Sequence, residues 1–274
     1  MVKNSSIPAT CNAVQQGRFV LSLGVLFMSL SEYDRKRYHR QIIIPGFGEI
    51  GQERLKNSTA FIAGLGGLGS PLALYLAVAG VGHLQLVDTD SVELSNLNRQ
   101  VLHWDEDLGK QKVESASQKV ERINPTTSVE AFDLTIEDKN VLKLTERCDI
   151  ILDAMDNFAV RYMLNSAAIA HRVPLIHGAI YGYEGRLTTV LPGKTACLEC
   201  IYPHAPPRAA FPVLATTPGV IALLQATEAI KCLAGVGVPL VDELLIYDGE
   251  MMAFDKVKVA RNPHCKSCAG SWLE

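Results

Sequence analysis

The chain has 274 residues, of which 48% are hydrophobic, 20% charged and 7% aromatic, a globular composition that excludes a disordered, collagenous or coiled-coil chain. At this length about three quarters of the unfolded surface is buried on folding, so a core needs no disulfides. Lys and Arg number 26 against 29 Asp and Glu, a net charge of −3, so no bulk attraction draws the chain to nucleic acid or to an anionic membrane.

The first apolar run, Phe19 to Leu30, is about a dozen residues long, short of the roughly twenty that cross a bilayer. Lys3 and Arg18 precede it as in a signal peptide, but the charged stretch Glu32 to Arg37 follows with no small-x-small cleavage site. Residues 1–27 therefore read as a leader, disordered or upstream of the true start at Met28. Just beyond, Ser31-x-x-Asp34 has the capping-box pattern of a helix start. From residue 60, short apolar strands alternate with amphipathic helices: strands at 60–63, 84–88, 128–133, 149–154 and 174–179, and helices at 68–79, 108–123, 139–147 and 157–171. That alternation predicts an α/β, Rossmann-like fold, a mostly parallel sheet with helices on both faces. A strand at 185–191 follows with no crossover helix before it, so antiparallel strands are expected in the C-terminal half. Five prolines between Ile201 and Pro218 predict a long crossing loop. A helix at 219–234 and strands at 244–248 and about 252–259 complete the reading.

Gly64-x-Gly66-x-x-Gly69, with Gly67 between, follows a strand and opens a helix, the setting in which glycines bring amide N–H groups and a helix N-terminus up to phosphate oxygens. Asp88 ends the next strand, where an acid accepts hydrogen bonds from ribose hydroxyls. Alone, this describes a nicotinamide-dependent oxidoreductase. The cluster that follows, Ser95, Asn96, Arg99 and then Lys112, puts an amide, a guanidinium and an ammonium beside the pocket; chemistry at phosphorus needs these and hydride transfer does not. Asp153 and Asp156 end a further strand in the mouth of the same sheet, two acids suited to Mg²⁺. Cys197-x-x-Cys200 and Cys265-x-x-Cys268 leave turns on separate segments, the spacing of a structural Cys₄ zinc knuckle. A redox C-x-x-C is the weaker alternative, and His264 is a spare ligand that four sulfurs do not require.

The sequence resembles the MoeB/ThiF family, relatives of the ubiquitin-activating enzymes. The resemblance runs from Tyr38-His39-Arg40-Gln41 through the glycine loop, Asp88 to Gln100, Lys112 to Ala116, Asp156-Asn157-x-x-x-Arg161 and Gln225 to Lys231, to the last C-x-x-C. It implies a single adenylyltransferase domain over 28–274, with a nucleotide-binding half at 58–180 and a carrier-binding and zinc half at 181–274. It also implies ATP held by Gly64, Gly66, Gly67, Gly69, Asp88, Ser95, Asn96, Arg99 and Lys112, Mg²⁺ on Asp156, and a homodimer in which Arg40 enters the neighbouring site. The implied reaction is adenylylation of the C-terminal glycine of a small ubiquitin-like sulfur-carrier protein ending in Gly-Gly, of the molybdopterin or thiamine type, in the cytoplasm. The crossing loop carries no cysteine, which points away from a thioester on this chain and toward a separate persulfide donor. A non-catalytic carrier-binding scaffold is the remaining alternative. No nucleic-acid or membrane partner is expected.

Overall fold

The computed structural model describes residues 28–205 and 212–270; the leader reading for 1–27 and the middle of the crossing loop lie outside them. Three N-terminal helices come first, α1 (Glu32–Arg37), α2 (His39–Ile42) and α3 (Gly48–Lys56). Ser31 caps α1: its hydroxyl accepts from the Asp34 N–H while the Asp34 carboxylate accepts from the Ser31 N–H, the reciprocal pattern its sequence predicts. The parallel strands and their crossovers follow as β1 (Thr59–Ala63), α4 (Gly69–Ala79), β2 (His83–Asp88), α5 (Lys112–Ile123), β3 (Ser128–Asp133), α6 (Val141–Leu144), β4 (Ile150–Asp153), α7 (Phe158–His171) and β5 (Leu175–Tyr181). Then come β6 (Glu184–Val190), α8 (Leu198–Ile201), α9 (Thr216–Ala234), β7 (Glu243–Asp248) and β8 (Ala253–Lys258).

The sheet order is β3-β2-β1-β4-β5-β6-β7-β8. Pairings are parallel from β3 to β5 and antiparallel from β5 to β8. The chain winds outward from β1 through β2 to β3 and then crosses to β4, so the order reverses between β1 and β4. At such a reversal the crossover connections diverge and leave a crevice beyond the strand C-termini.

The central strands read as continuous apolar runs because both their faces are covered. Ala60 and Ile62 of β1, Leu84 and Leu86 of β2, and Ile150 and Leu152 of β4 enter one core with α4, α5 and α9. Phe61, Ala63 and Ile151 enter the other, with Val160 and Leu164 of α7 and three of the four paired cysteines. This is the period-two alternation of a strand dividing its side chains between two layers.

Three expected helices change their bounds by more than two residues. The helix expected at 108–123 begins at Lys112 because Gly109 sits at φ +82, in the left-handed region, and Gln111 pairs with Ser91. The helix expected at 139–147 is one turn, Val141–Leu144. The last helix begins three residues early, at Thr216, with Pro218 in its first turn, where the missing N–H has no intrahelical partner to lose. Of the N-terminal helices only the start of α1 was read from sequence; α2 and α3 were not. They are tied down by buried Asn124, whose amide donates to the Tyr38 hydroxyl at 2.7 Å and the Ala77 carbonyl at 2.6 Å.

Candidate active site and cysteine centre

A cavity of about 780 Å³ opens at the reversal point. Its floor is the glycine loop between β1 and α4. Gly64 has φ +89, and a Cβ there would stand 2.9 Å from the Ala154 carbonyl oxygen. A Cβ on Gly69 would meet the Gly64 carbonyl oxygen at 1.8 Å, so no side chain fits at either position. Gly64, Gly66 and Gly67 line the cavity, while Gly69 sits behind the wall as the first residue of α4 and sets how closely helix and strand approach. The N-terminus of α4 faces the same space with its partial positive charge.

Asp88 lines the cavity and is bound to the glycine loop: one carboxylate oxygen accepts from the Leu65 N–H at 2.7 Å and the other from the Asp90 N–H at 2.9 Å. Lys112 opens α5 with its ammonium almost wholly buried, paired at 2.7 Å with Asp90, whose side chain is 66% exposed. Arg99 also lines the cavity, its guanidinium donating to the Ser95 carbonyl and the Asn98 side chain. Asn96 is buried at the rim, where its amide oxygen accepts from the Glu93 N–H. Ser95 is exposed, donates to Glu93 and is not part of the lining. Arg40 is exposed on α2 and likewise lies outside the lining of its own chain's cavity.

The two acids after β4 part company. Asp156 is exposed and lines the cavity. Asp153, expected beside it in the mouth, is fully buried: its carboxylate accepts from the Met155 N–H at 3.0 Å, contacts His177 Nδ1 at 2.6 Å and lies 3.6 Å from the Arg161 guanidinium. Arg161 also donates to the Met155 carbonyl at 2.6 Å. Asp153 and Arg161 together therefore fix the turn that carries Asp156, an internal role that spacing along a strand does not distinguish from a role in the mouth. Burial holds His177 below the usual histidine range despite its acidic partner.

Sequence reading passed over Leu134, Thr135 and Ile136 after β3, which with Met155 and Val160 give the cavity an apolar wall. Their signal was available, since β3 is parallel and its C-terminal end must open on the same crevice. Gln100 was also missed; it lines the cavity with a buried side-chain oxygen that has no hydrogen-bond partner among the described residues.

The cysteines form the second centre. Cys197, Cys200, Cys265 and Cys268 bring their sulfurs within 4.8 Å of one another. Individual separations are 3.8 Å for Cys197 to Cys200, 3.6 Å for Cys197 to Cys265 and 3.5 Å for Cys200 to Cys268. Four sulfurs about 2.3 Å from one tetrahedral ion stand about 3.8 Å apart, so the cluster has the size of a metal-filled knuckle. Asn165 of α7 anchors it through the Leu198 N–H, and Asp242 through the Ala196 N–H, both at 2.9 Å. His264 is exposed and is not one of the four clustered ligands.

The sequence model of the ThiF family matches residues 38–267. The chain is 40% identical to a sulfur carrier protein adenylyltransferase of Thermus thermophilus, over 88% of this chain and 93% of that protein. It is 43% identical to a SAMP-activating enzyme E1 of Haloferax volcanii, over 88% and 91%. Among solved structures it resembles E. coli MccB with ATP, at a TM-score of 0.76 and 26% identity over 88% of this chain and 76% of that one.

Proposed function

We propose that this chain, which belongs to the ThiF family, is an adenylyltransferase that uses ATP to activate the C-terminal glycine of a small ubiquitin-like sulfur-carrier protein ending in Gly-Gly. The observation that carries the reading is the single cavity wall on which Arg99, Lys112 and Asp156 meet the glycine loop and Asp88. An apolar shelf of Leu134, Ile136 and Val160 suits a base, Asp88 a ribose, and the loop amides the phosphates.

A C-terminal carboxylate ionises near pH 3.5, so the nucleophile needs no base at neutral pH. The protein has to align it with the α-phosphorus and offset the charge that builds as pyrophosphate leaves. Lys112 and Arg99 do this, Lys112 by releasing exposed Asp90 for phosphate. Asp156 would hold Mg²⁺: it presents a hard oxygen to the cavity, and one carboxylate plus substrate phosphates is a common Mg²⁺ environment. The ion supplies further charge neutralisation at the phosphates. We assign 58–180 to the nucleotide and 181–274 to the carrier and the zinc. Zn²⁺ belongs on the four cysteines, whose spacing fits it. Thus Cys197, Cys200, Cys265 and Cys268 are spoken for, and Cys148 and Cys232 are buried in the two cores. The acyl adenylate then passes to a separate persulfide donor. Among the described residues no helix is long and apolar enough to cross a membrane, and we place the protein in the cytoplasm, where thiols stay reduced.

Arg40 lies outside the lining of its own chain's nucleotide cavity, and Ile43, Ile44 and Ile50, close to it in sequence, are exposed. We assign it to the neighbouring site of a homodimer, together with the carrier's Gly-Gly tail. Exchange of radiolabelled pyrophosphate into ATP tests the whole reading: it should require a Gly-Gly carrier and vanish in Lys112→Ala. Carrier-independent exchange, or full exchange in the variant, overturns it. Mixing Arg40→Ala with Lys112→Ala chains should restore exchange if the site is shared.

A further inference from the structure

Behind the cavity floor runs a chain of buried polar groups that the proposed reaction leaves unexplained. His103, Ser115 and Lys119 are each at most 4% exposed. His103 Nε2 lies 3.0 Å from the Leu65 carbonyl oxygen in the glycine loop, and His103 Nδ1 lies 2.9 Å from the Ser115 hydroxyl. Lys119, one helical turn further along α5, donates to the same hydroxyl at 3.0 Å, pairs tightly with Asp107 and stacks its ammonium 4.6 Å from the Trp104 ring centre.

The donor directions can be followed from the carbonyl end of this chain. A carbonyl oxygen only accepts, so Nε2 carries the proton and, in a neutral ring, Nδ1 must accept. The Ser115 hydroxyl, whose other acceptors are the Leu102 carbonyl at 3.5 Å and the Asp107 carboxylate, then donates to Nδ1 at 2.9 Å, the one group here with no other donor. The Lys119 ammonium, having only protons to give, fills the hydroxyl's acceptor side. Burial and the nearby Lys112 and Lys119 ammoniums hold His103 below the usual histidine range, in keeping with a neutral ring.

The Leu65 carbonyl and the Gly66 N–H belong to one planar trans peptide and point in opposite directions. Holding the carbonyl toward His103 turns the Gly66 N–H away from the core, and Gly66 lines the cavity. We propose that His103 is a positioning residue that, donating from Nε2 to the Leu65 carbonyl and braced at Nδ1 by Ser115 and Lys119, aims the Gly66 amide at a nucleotide phosphate. The same chain fastens the glycine loop to α5, the helix that carries Lys112. The inference rests on the ATP reading above.

The test uses the full chain and Mg-ATP as probe, comparing His103→Gln with His103→Asn. Both substitutes are amides, but only glutamine is long enough to return an N–H to the Leu65 carbonyl. By calorimetry the Asn variant should bind ATP on the order of tenfold more weakly and the Gln variant within about threefold of wild type, with carrier KM unmoved in both. Nitrogen NMR of the imidazole should show the Nε2–H tautomer in the wild type. Equal losses in the two amide variants, no loss in either, or an Nδ1–H tautomer in the wild type overturns the proposal. A wild type that binds no ATP overturns the adenylation reading instead, and the two failures are thereby told apart.

Discussion

Beyond the ends of the parallel strands the charged side chains are held apart around a cavity, whereas in the C-terminal half four sulfurs close to within 4.8 Å of one another. At the open centre each charge has a provisional partner. Lys112 rests on an Asp90 that is two-thirds exposed, and such a pair is easily traded for a phosphate because solvent already weakens it. At the cysteine centre the ligands come from two local turns, and their backbones are fixed by Asn165 and Asp242. One centre keeps its groups available for exchange and the other commits them, so damage to each should be read by a different instrument.

The largest effect belongs to the open centre. Lys112→Ala should lower carrier-dependent pyrophosphate exchange by at least on the order of a hundredfold, as loss of a charge-stabilising group does. Its melting temperature should stay within a few degrees of wild type, since Asp90 is already solvated. A large fall in melting temperature with residual exchange would erase the distinction between the two centres. Cys265→Ser should do the reverse. It should drop bound zinc from about one ion per chain toward none and destabilise the fold by several kcal/mol, because metal binding here is folding free energy, while molecules still folded keep their affinity for ATP. Metal analysis and thermal melts check it, and zinc-free wild type with unchanged stability would sink it.

The contrast also explains what could be read from residues alone. The C-x-x-C pairs were legible because a knuckle is a local object whose spacing is its geometry. The Rossmann half was legible because strand and helix periods alternate and the glycine loop falls between β1 and α4. The direction of Asp153 was not: it lies at the end of a four-residue strand, and only the positions of His177, 24 residues on, and Arg161 on α7 decide that it turns inward. The reach of His103 to Leu65, 38 residues away, is likewise a product of tertiary packing. The early start of α9 was obscured by Pro218, which reads as loop although it is tolerated in a first turn.

The buried pair behind the open centre gives an intermediate effect. Burial alone would raise the Asp107 carboxyl, but the Lys119 ammonium, the Trp104 N–H and Lys110 outweigh it and hold the acid well below the usual carboxylate range. A depressed folded-state value contributes stability that is complete above the unfolded value, about pH 4, and is lost as pH falls below it. Asp107→Asn should cost about 3–5 kcal/mol at neutral pH, because the Lys119 ammonium is left buried without its counter-charge. It should also flatten the acid limb of the stability curve. Denaturant melts between pH 3 and 7 measure both, and an unchanged acid limb would show that Asp107 does not set it.

The smallest effect separates two neighbouring residues. Asn157, not Asp156, caps α7, its side chain accepting from the Val160 N–H at 3.0 Å. Asn157→Ala should therefore cost about 1 kcal/mol of stability and lower the melting temperature by about 2–4 °C. Asp156 makes no such contact with the helix N-terminus and faces the cavity, so Asp156→Ala should leave the melt in place and remove Mg²⁺-dependent exchange. Paired melts and exchange assays on the two variants decide the matter. If Asp156→Ala lowers stability as Asn157→Ala does while keeping its exchange rate, the carboxylate belongs to the helix and not to the metal.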